Sequence, residues 1–186
     1  MSKPTDLGWK AIKIIENEFE ESRLKRVVLL LGGFHTRMSF LNSIGTVGKG
    51  SGLFEALRQV YPTNTVKNIL TGKCVARAER GHLMVATALN TAIMQEAYGP
   101  DPDKHPDIQA MALLLEPMLD GTVQFDAQDL SENDSILNVE EKISQAREEI
   151  KCRSPTGEYW IQYLTMVELL RDFRRAEYTG TFSHNV

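Results

Sequence analysis

Residues 26–52, RVVLLLGGFHTRMSFLNSIGTVGKGSG, contain the pattern that decides the expected fold. The run from Val27 to Leu31 is short and wholly apolar, and two glycines end it, which is typical of a buried strand. After the glycines, Met38, Leu41 and Ile44 recur at helical spacing. The segment therefore predicts a strand, a tight glycine turn and a helix. In open α/β sheets a turn of this kind lies at the carboxyl end of a strand, where ligand-binding and catalytic sites usually form.

Length and composition are those of a single soluble domain, residues 1–186. A hydrophobic content of 42% and a charged content of 25% are ordinary for a globular protein. The net charge of −4 excludes a global attraction for nucleic acid and leaves room only for a local basic face. Cys74 and Cys152 have neither metal-ligand nor disulfide-framework spacing. No stretch approaches the roughly 20 apolar residues of a membrane span, so we expect an intracellular protein, nuclear or cytoplasmic, without a membrane partner.

Helical periodicity dominates the rest of the chain. The predicted helices cover residues 9–19, 52–61, 64–70, 73–98, 108–119, 136–151 and 158–178. The stretch 73–98 is the longest, and its nearly apolar second half predicts the central buried helix. Residues 99–106 predict a proline-rich hinge, residues 120–135 an exposed acidic loop, and residues 154–157 a turn. The predicted fold class is mainly α with a short β element, an α/β remnant in which a strand and glycine turn lead into a helical bundle.

The single convincing strand poses a physical problem. An apolar strand with both edges unpaired cannot be left in water, because its backbone donors and acceptors need partners. The run from Val27 to Leu31 must therefore pair with weaker strands of this chain, with a second copy, or with a part of a longer protein.

The glycine-rich stretch between residues 45 and 52 invites comparison with a phosphate-binding loop. Such a loop needs a lysine and a hydroxyl residue directly after its last glycine. Here Lys49 comes before Gly50, and Ser51 follows it. The pattern instead predicts a glycine at the C-terminus of one helix and Ser51 as the N-cap of the next.

The candidate catalytic residues are few. His35 follows the glycine turn, where a general base could sit, but it has no partner visible in the sequence, so its ring is expected to bond the turn or cap the helix. The chain contains no metal-binding histidine motif and no nucleophile elbow, and we predict neither a metal site nor a cofactor. Asp6, Glu79 and Glu177 could converge as ligands of magnesium, which asks for oxygen. Their spacing leaves that open.

Lys73, Arg77 and Arg80 recur at i, i+4 and i+7 and form a basic stripe on one side of the longest predicted helix. The stripe is a candidate contact for nucleic acid. The alternatives are a solvated helix face and ion pairs with the acidic segments.

Five blocks of the sequence carry a resemblance to a known family. Its motifs are Pro-Thr-Asp with Trp-Lys-Ala, Leu-Gly-Gly-Phe-His-Thr-x-Met-Ser-Phe-Leu, Gly-Ser-Gly-Leu, Leu-Thr-Gly-Lys-x-Val-Ala-Arg-Ala-x-Arg-Gly-His and Phe-Arg-Arg-Ala-Glu-x-Thr-Gly. The chain resembles the large, multi-copy proteins of animal genomes that derive from transposable elements. The matching positions are Pro4 to Ala11, Leu31 to Gly45, Gly50 to Leu53, Leu70 to His82 and Phe173 to Gly180.

The resemblance implies a remnant of an RNase H-like transposase core, in which carboxylates at strand ends hold two metal ions. By that analogy Asp6 is the first carboxylate, and Glu177 is a loose candidate for the third. The second would follow the predicted strand, where this chain has Gly32 and Gly33. The relatives are also longer, which implies that this chain is an internal fragment.

Three functions follow as hypotheses. The first is a non-catalytic, transposase-derived fragment that retains weak nucleic-acid binding through Lys73, Arg77 and Arg80. The second is a magnesium-dependent DNA nuclease or transposase domain that uses Asp6. The third is a helical protein-interaction module whose binding surface is the apolar face of the last helix.

Overall fold

The structure is a computed structural model that describes residues 32–119 and 133–179, together with Lys13, Ile14 and Asn17. The predicted strand from Val27 to Leu31 lies outside these residues, as does Asp6. Every regular element within them is a helix. The helical bundle is therefore confirmed, and the short β element stays a prediction.

The described helices follow the predicted order, with shifted ends. They are α1 (Gly33–Val47), α2 (Leu53–Arg58), α3 (Thr63–Leu70), α4 (Val75–Tyr98), a 3-10 turn (Pro102–Lys104), α5 (Pro106–Leu119), α6 (Asp134–Arg153) and α7 (Pro155–Thr179). The described residues fall into two units, those up to Thr36 and those from Arg37 onwards. The core and the candidate site belong to the second. None of the described helices combines the length and apolar character that a membrane span needs.

Two helix starts differ from the prediction because of local capping chemistry. The side chain of Asn133 accepts hydrogen bonds from the backbone N–H groups of Ser135 and Ile136, so α6 begins inside the segment predicted as an acidic loop. The predicted turn at residues 154–157 was wrong beyond Ser154. Pro155 opens α7, a position where its missing N–H costs nothing, and the hydroxyl of Ser154 accepts from the N–H of Gly157 at 3.0 Å.

The residues of the predicted hinge are tied to their neighbours. The ring of His105 packs edge-on against Tyr98 at 4.7 Å, and its Nδ1 accepts from the N–H of Asp107. Lys142 of α6 lies over the Tyr98 ring and donates to the Asp107 carboxylate at 3.3 Å. The connection between α4 and α5 is therefore anchored to α6.

The core is a single cluster in which α4 is the central element. Its buried members outside α4 are Leu41, Ile44, Leu53, Leu57, Val66, Ile69, Ala146, Tyr163, Leu164, Val167 and Leu170. Burial along α4 is concentrated between Val75 and Ala86, whereas Ile93 is the buried residue of its second half. The helix predicted to be central is the central one, but its apolar second half, which suggested this, is the less buried part. The physical reason is that side chains of α2, α3 and α7 gather around the first half.

Gly48 and Gly52 of the glycine-rich stretch between residues 45 and 52 have structural roles. A Cβ on Gly48 would lie 2.6 Å from the Tyr159 hydroxyl of α7, so the absent side chain makes room for this ring. The N-cap of α2 is Gly52, whose φ is 93°, and the hydroxyl of Ser51 accepts from the N–H of Leu53 at 3.3 Å. The prediction of Ser51 as the N-cap was therefore wrong by one residue. Ser51 precedes the N-cap Gly52, and its hydroxyl still accepts a hydrogen bond from the first residue of α2.

Candidate functional site

Two of the three carboxylates singled out as possible magnesium ligands meet around one arginine. Arg37 of α1 donates from Nη1 to Glu79 Oε1 at 3.0 Å, and its Nε lies 3.0 Å from Glu177 Oε2. Arg174 of α7 approaches the other oxygen of Glu79 at 3.6 Å. These four residues form the Arg37 network, which joins α1, α4 and α7.

Glu79 is the member that makes the network energetically important. Its side chain is 5% exposed, against 17% for Arg37 and 43% for Arg174. A carboxylate this far from water is tolerated when opposite charges and hydrogen-bond donors replace its hydration. Arg37 and Arg174 supply that replacement, so the three helices are held in register by one buried acid.

The geometry of the Arg37 network differs from that of a metal site. A guanidinium occupies the space between Glu79 and Glu177, where a bridging cation would have to bind. Within the described part of the chain, no three histidine, cysteine or acidic side chains are close enough to hold a metal ion. Asp6, the remaining candidate, lies outside the described residues.

His35 lies in the first turn of α1. The carbonyl of Gly32 accepts from the backbone N–H groups of His35 and Thr36, which begins the helix. The His35 ring contacts Phe34 edge-on at 5.7 Å, and its Nδ1 has no hydrogen-bond partner among the described residues. The predicted capping role of this ring is therefore not seen there.

A second buried polar pair was not identified from the sequence. Nδ1 of His82 lies 2.9 Å from the Tyr163 hydroxyl, which also lies 3.3 Å from the His82 carbonyl. Nε2 of His82 is buried and has no partner within residues 32–119 and 133–179. In the tautomer protonated on Nδ1, both polar hydrogens of the pair have an acceptor: the Nδ1–H group donates to the Tyr163 hydroxyl, and that hydroxyl donates to the His82 carbonyl.

Burial shifts the pKa values of both His82 and Tyr163 away from their usual ranges. Loss of hydration lowers the pKa of His82 to about 4, because the charged imidazolium cannot be solvated in the core. Burial also raises the pKa of Tyr163 above its usual value, and the nearby Tyr159 adds to the effect. Both groups are therefore neutral at physiological pH, and their role is to fix α4 against α7.

The lowered pKa of His82 predicts a pH-dependent stability. The unfolded chain binds this proton near pH 6.5 and the folded chain near pH 4, so stability is complete above pH 6.5 and falls as the pH decreases. Between about pH 7.5 and pH 5, we expect a loss of about 2 kcal/mol in the free energy of unfolding. Urea titrations at both pH values measure it. His82→Gln should remove most of this pH dependence, and an unchanged dependence in that variant would contradict the assignment.

The predicted basic stripe is exposed over its whole length. Lys73, Arg77 and Arg80 are all exposed. Arg77 and Arg80 lie in the first two turns of α4, whereas Lys73 precedes the helix, which begins at Val75, so the predicted helical stripe is wrong for its first member. None of the three forms an ion pair with a described acidic residue. The alternative in which the stripe is neutralised by acidic segments thus finds no partner in the part of the chain that the structure describes.

Further cations lie near the C-terminus of α7. Arg171 and Arg174 line a pocket with Glu79 and Leu83 of α4. The cavity volume is about 30 Å³, which is room for about two waters and far below the size of a typical small-molecule site. This region therefore offers a charged surface and not a substrate cavity.

The apolar face of α7, which was a candidate protein-binding surface, is buried in the core of this chain. Tyr163, Leu164, Val167 and Leu170 are buried, and Trp160 is partly buried against the rings of Tyr159 and Tyr163. The periodicity that suggested a docking face therefore reports the core of this domain.

A family model described as a domain of unknown function, DUF8702, matches residues 5–186. No curated protein and no solved structure matches the chain.

Proposed function

The chain belongs to the DUF8702 family, and we propose that it is a non-catalytic helical domain that binds nucleic acid through Lys73, Arg77 and Arg80. The observation that carries this proposal is the exposure of three cations without a described ion-pair partner, Lys73 in the turn before α4 and Arg77 and Arg80 in its first two turns. Unpaired lysine and arginine side chains on a helix face attract phosphates and gain free energy by releasing counterions.

The charge of the whole chain sets the expected strength of binding. A net charge of −4 gives no long-range attraction, so binding depends on local contacts of the stripe. Three phosphate contacts support weak binding without base readout, with a dissociation constant of about 10⁻⁴ M at physiological salt. The stripe therefore suits attachment to a nucleic-acid backbone and not recognition of a sequence.

The descent of the chain from a transposable element is part of the proposal and rests on its sequence motifs. A degenerate RNase H-like core accounts for Gly32 and Gly33 where a carboxylate is expected. The engagement of Glu177 by Arg37 supports the non-catalytic assignment, since a paired carboxylate is poorly available to a magnesium ion.

Removing the stripe should remove nucleic-acid binding. In the triple variant Lys73→Gln, Arg77→Gln, Arg80→Gln, we expect affinity for a fluorescein-labelled DNA of about 20 base pairs to fall at least about tenfold at about 50 mM salt. Fluorescence anisotropy measures the affinity. The urea midpoint should stay unchanged, because the three side chains are exposed.

The matched control removes the same charge elsewhere. Lys104, Lys142 and Lys151 each lie in an ion pair with an acidic side chain, so their replacement by glutamine should change DNA affinity less than about threefold. Equal losses in both triple variants would mean that net charge and not the stripe governs binding. A stripe variant that binds like the wild type would overturn the proposal.

A further inference from the structure

We infer that the small pocket between α4 and α7 receives the side-chain carboxylate of an acidic residue of a partner protein. Arg171 and Arg174 bind the carboxylate, and the apolar walls of the pocket contact the methylene groups that carry it. The inference goes beyond the proposed function and is independent of it, because the pocket lining does not include Lys73, Arg77 or Arg80.

Two guanidinium groups face this one cavity. Arg171 and Arg174 are three positions apart in α7, and both line the pocket. Arg171 lies 3.8 Å from Asp172, where both side chains are about two-thirds exposed and the attraction is screened. Arg174 lies 3.6 Å from Glu79 and 5.6 Å from the centroid of the Tyr178 ring. These distances are longer than a hydrogen bond, so N–H donors of both arginines are available to a ligand.

The charge of the lining favours an anion. The charged lining residues are two arginines and one acid, Glu79, so the lining carries a net positive charge. The carboxylate of Glu79 is already compensated by Arg37, which donates to its Oε1 at 3.0 Å from outside the lining. Two like charges at one cavity repel each other, and an anion held between Arg171 and Arg174 removes that repulsion.

The apolar walls select the kind of anion. Leu83 of α4 and Val167 and Leu170 of α7 complete the lining. The methylene groups of an acidic side chain gain free energy by leaving water for such walls. A phosphate presents oxygens on every side, and burying oxygens against apolar walls costs free energy. The cavity volume of about 30 Å³ accommodates about two water-sized groups, which suits the two oxygens of one carboxylate.

The test titrates isotope-labelled protein with N-acetylglutamate methylamide, whose single charge is the side-chain carboxylate. We expect the Nε–Hε nuclear magnetic resonance signals of Arg171 and Arg174 to shift and to saturate. The affinity should be at least about tenfold above that for the corresponding glutamine compound at equal ionic strength, because a hydrogen bond to a charged acceptor is stronger than one to a neutral amide.

Arg171→Gln should lower the affinity for the glutamate compound about tenfold. Its urea midpoint should stay unchanged, because Arg171 is exposed and its ion pair is screened. The matched control is Arg175→Gln, which removes an exposed charge one turn along α7 that does not line the pocket, and it should change the affinity less than about threefold. Both variants retain Arg174, which contacts the buried Glu79.

Four results would overturn the inference. Equal affinity for the glutamate and glutamine compounds, or unchanged affinity in Arg171→Gln, would exclude a carboxylate site at these arginines. Inorganic phosphate that shifts the same two signals with equal or higher affinity would assign the pocket to phosphate, the group that a nucleic-acid backbone presents. Tighter binding of acetate than of the glutamate compound would assign it to a small free acid. None of these results changes the test of DNA binding by Lys73, Arg77 and Arg80.

Discussion

Replacing Arg37 by methionine is expected to lower the free energy of unfolding by about 3 kcal/mol, the largest effect of a single charge removal in the described residues. The substitution keeps an unbranched apolar side chain of about the length of the aliphatic part of arginine, and it removes the donor 3.0 Å from Glu79 and the cation beside Glu177. Glu79 then remains buried with Arg174 at 3.6 Å as its remaining described ion partner. Breaking a buried pair from one side costs about 3–5 kcal/mol, because the remaining charge has lost its compensation. Urea unfolding at neutral pH measures the change.

Two further variants make this result specific. Arg153→Met breaks a pair with Glu96 in which both side chains are well exposed and the attraction is screened, so its effect on the urea midpoint should be far smaller than that of Arg37→Met. The double variant Arg37→Met, Glu79→Met should be more stable than the sum of the two single changes predicts, by about 1 kcal/mol or more. Additive effects, or a loss at Arg37 no larger than that at Arg153, would mean that the network does not hold the helices together.

Gly45→Ala is expected to destabilise the fold by about 3 kcal/mol or more, although alanine is the better helix former. Gly45 lies inside α1, and a Cβ there would lie 2.0 Å from the backbone carbonyl oxygen of Leu70 at the end of α3. A backbone atom cannot rotate away as a side chain does, so α1 and α3 would have to separate and lose core contacts. At an unobstructed helix position the same change would stabilise by about 1 kcal/mol. The sign of the effect is therefore diagnostic.

Gly32→Ala is the matched control, because nothing lies within 4 Å of a Cβ at that position. We expect its urea midpoint to stay close to that of the wild type. Thermal and urea unfolding of both variants measure the difference. A Gly45→Ala protein as stable as the wild type would show that α1 and α3 are not in close contact at Leu70.

The helices could be predicted from sequence because their signal is local. Apolar spacing located the ends of α3 and α4 to within two residues. The apolar face of Leu164, Val167 and Leu170 indicated the long last helix. The misplaced starts of α6 and α7 depend on single contacts, the Asn133 cap and the proline at position 155, which periodicity does not include. The burial of the first half of α4 depends on which helices surround it, and that is set by tertiary packing.

The candidate site was also predictable only where its signal is local. The exposure of Arg77 and Arg80 was predictable because exposure on a helix follows from spacing, whereas Lys73, predicted on the same helix, is exposed in the turn before it. The Arg37 network was only half predictable. Glu79 and Glu177 were singled out as carboxylates that could meet, but Arg37 between them lies 42 residues before Glu79, and no local pattern links the two. Its one signal was a charged residue directly before the core-facing Met38 in a helix of apolar and small residues.

Nucleic-acid binding by the basic stripe is tested most directly by titrating wild-type protein with a DNA duplex of about 20 base pairs over a range of about 50–200 mM salt. With Lys73, Arg77 and Arg80 in contact with phosphates, the logarithm of the association constant should fall with the logarithm of salt concentration with a slope of about −2.7, and the stripe variant should bring that slope to about zero. A slope of zero, the same slope in both proteins, or no binding at about 50 mM salt would contradict the assignment of this surface to nucleic acid.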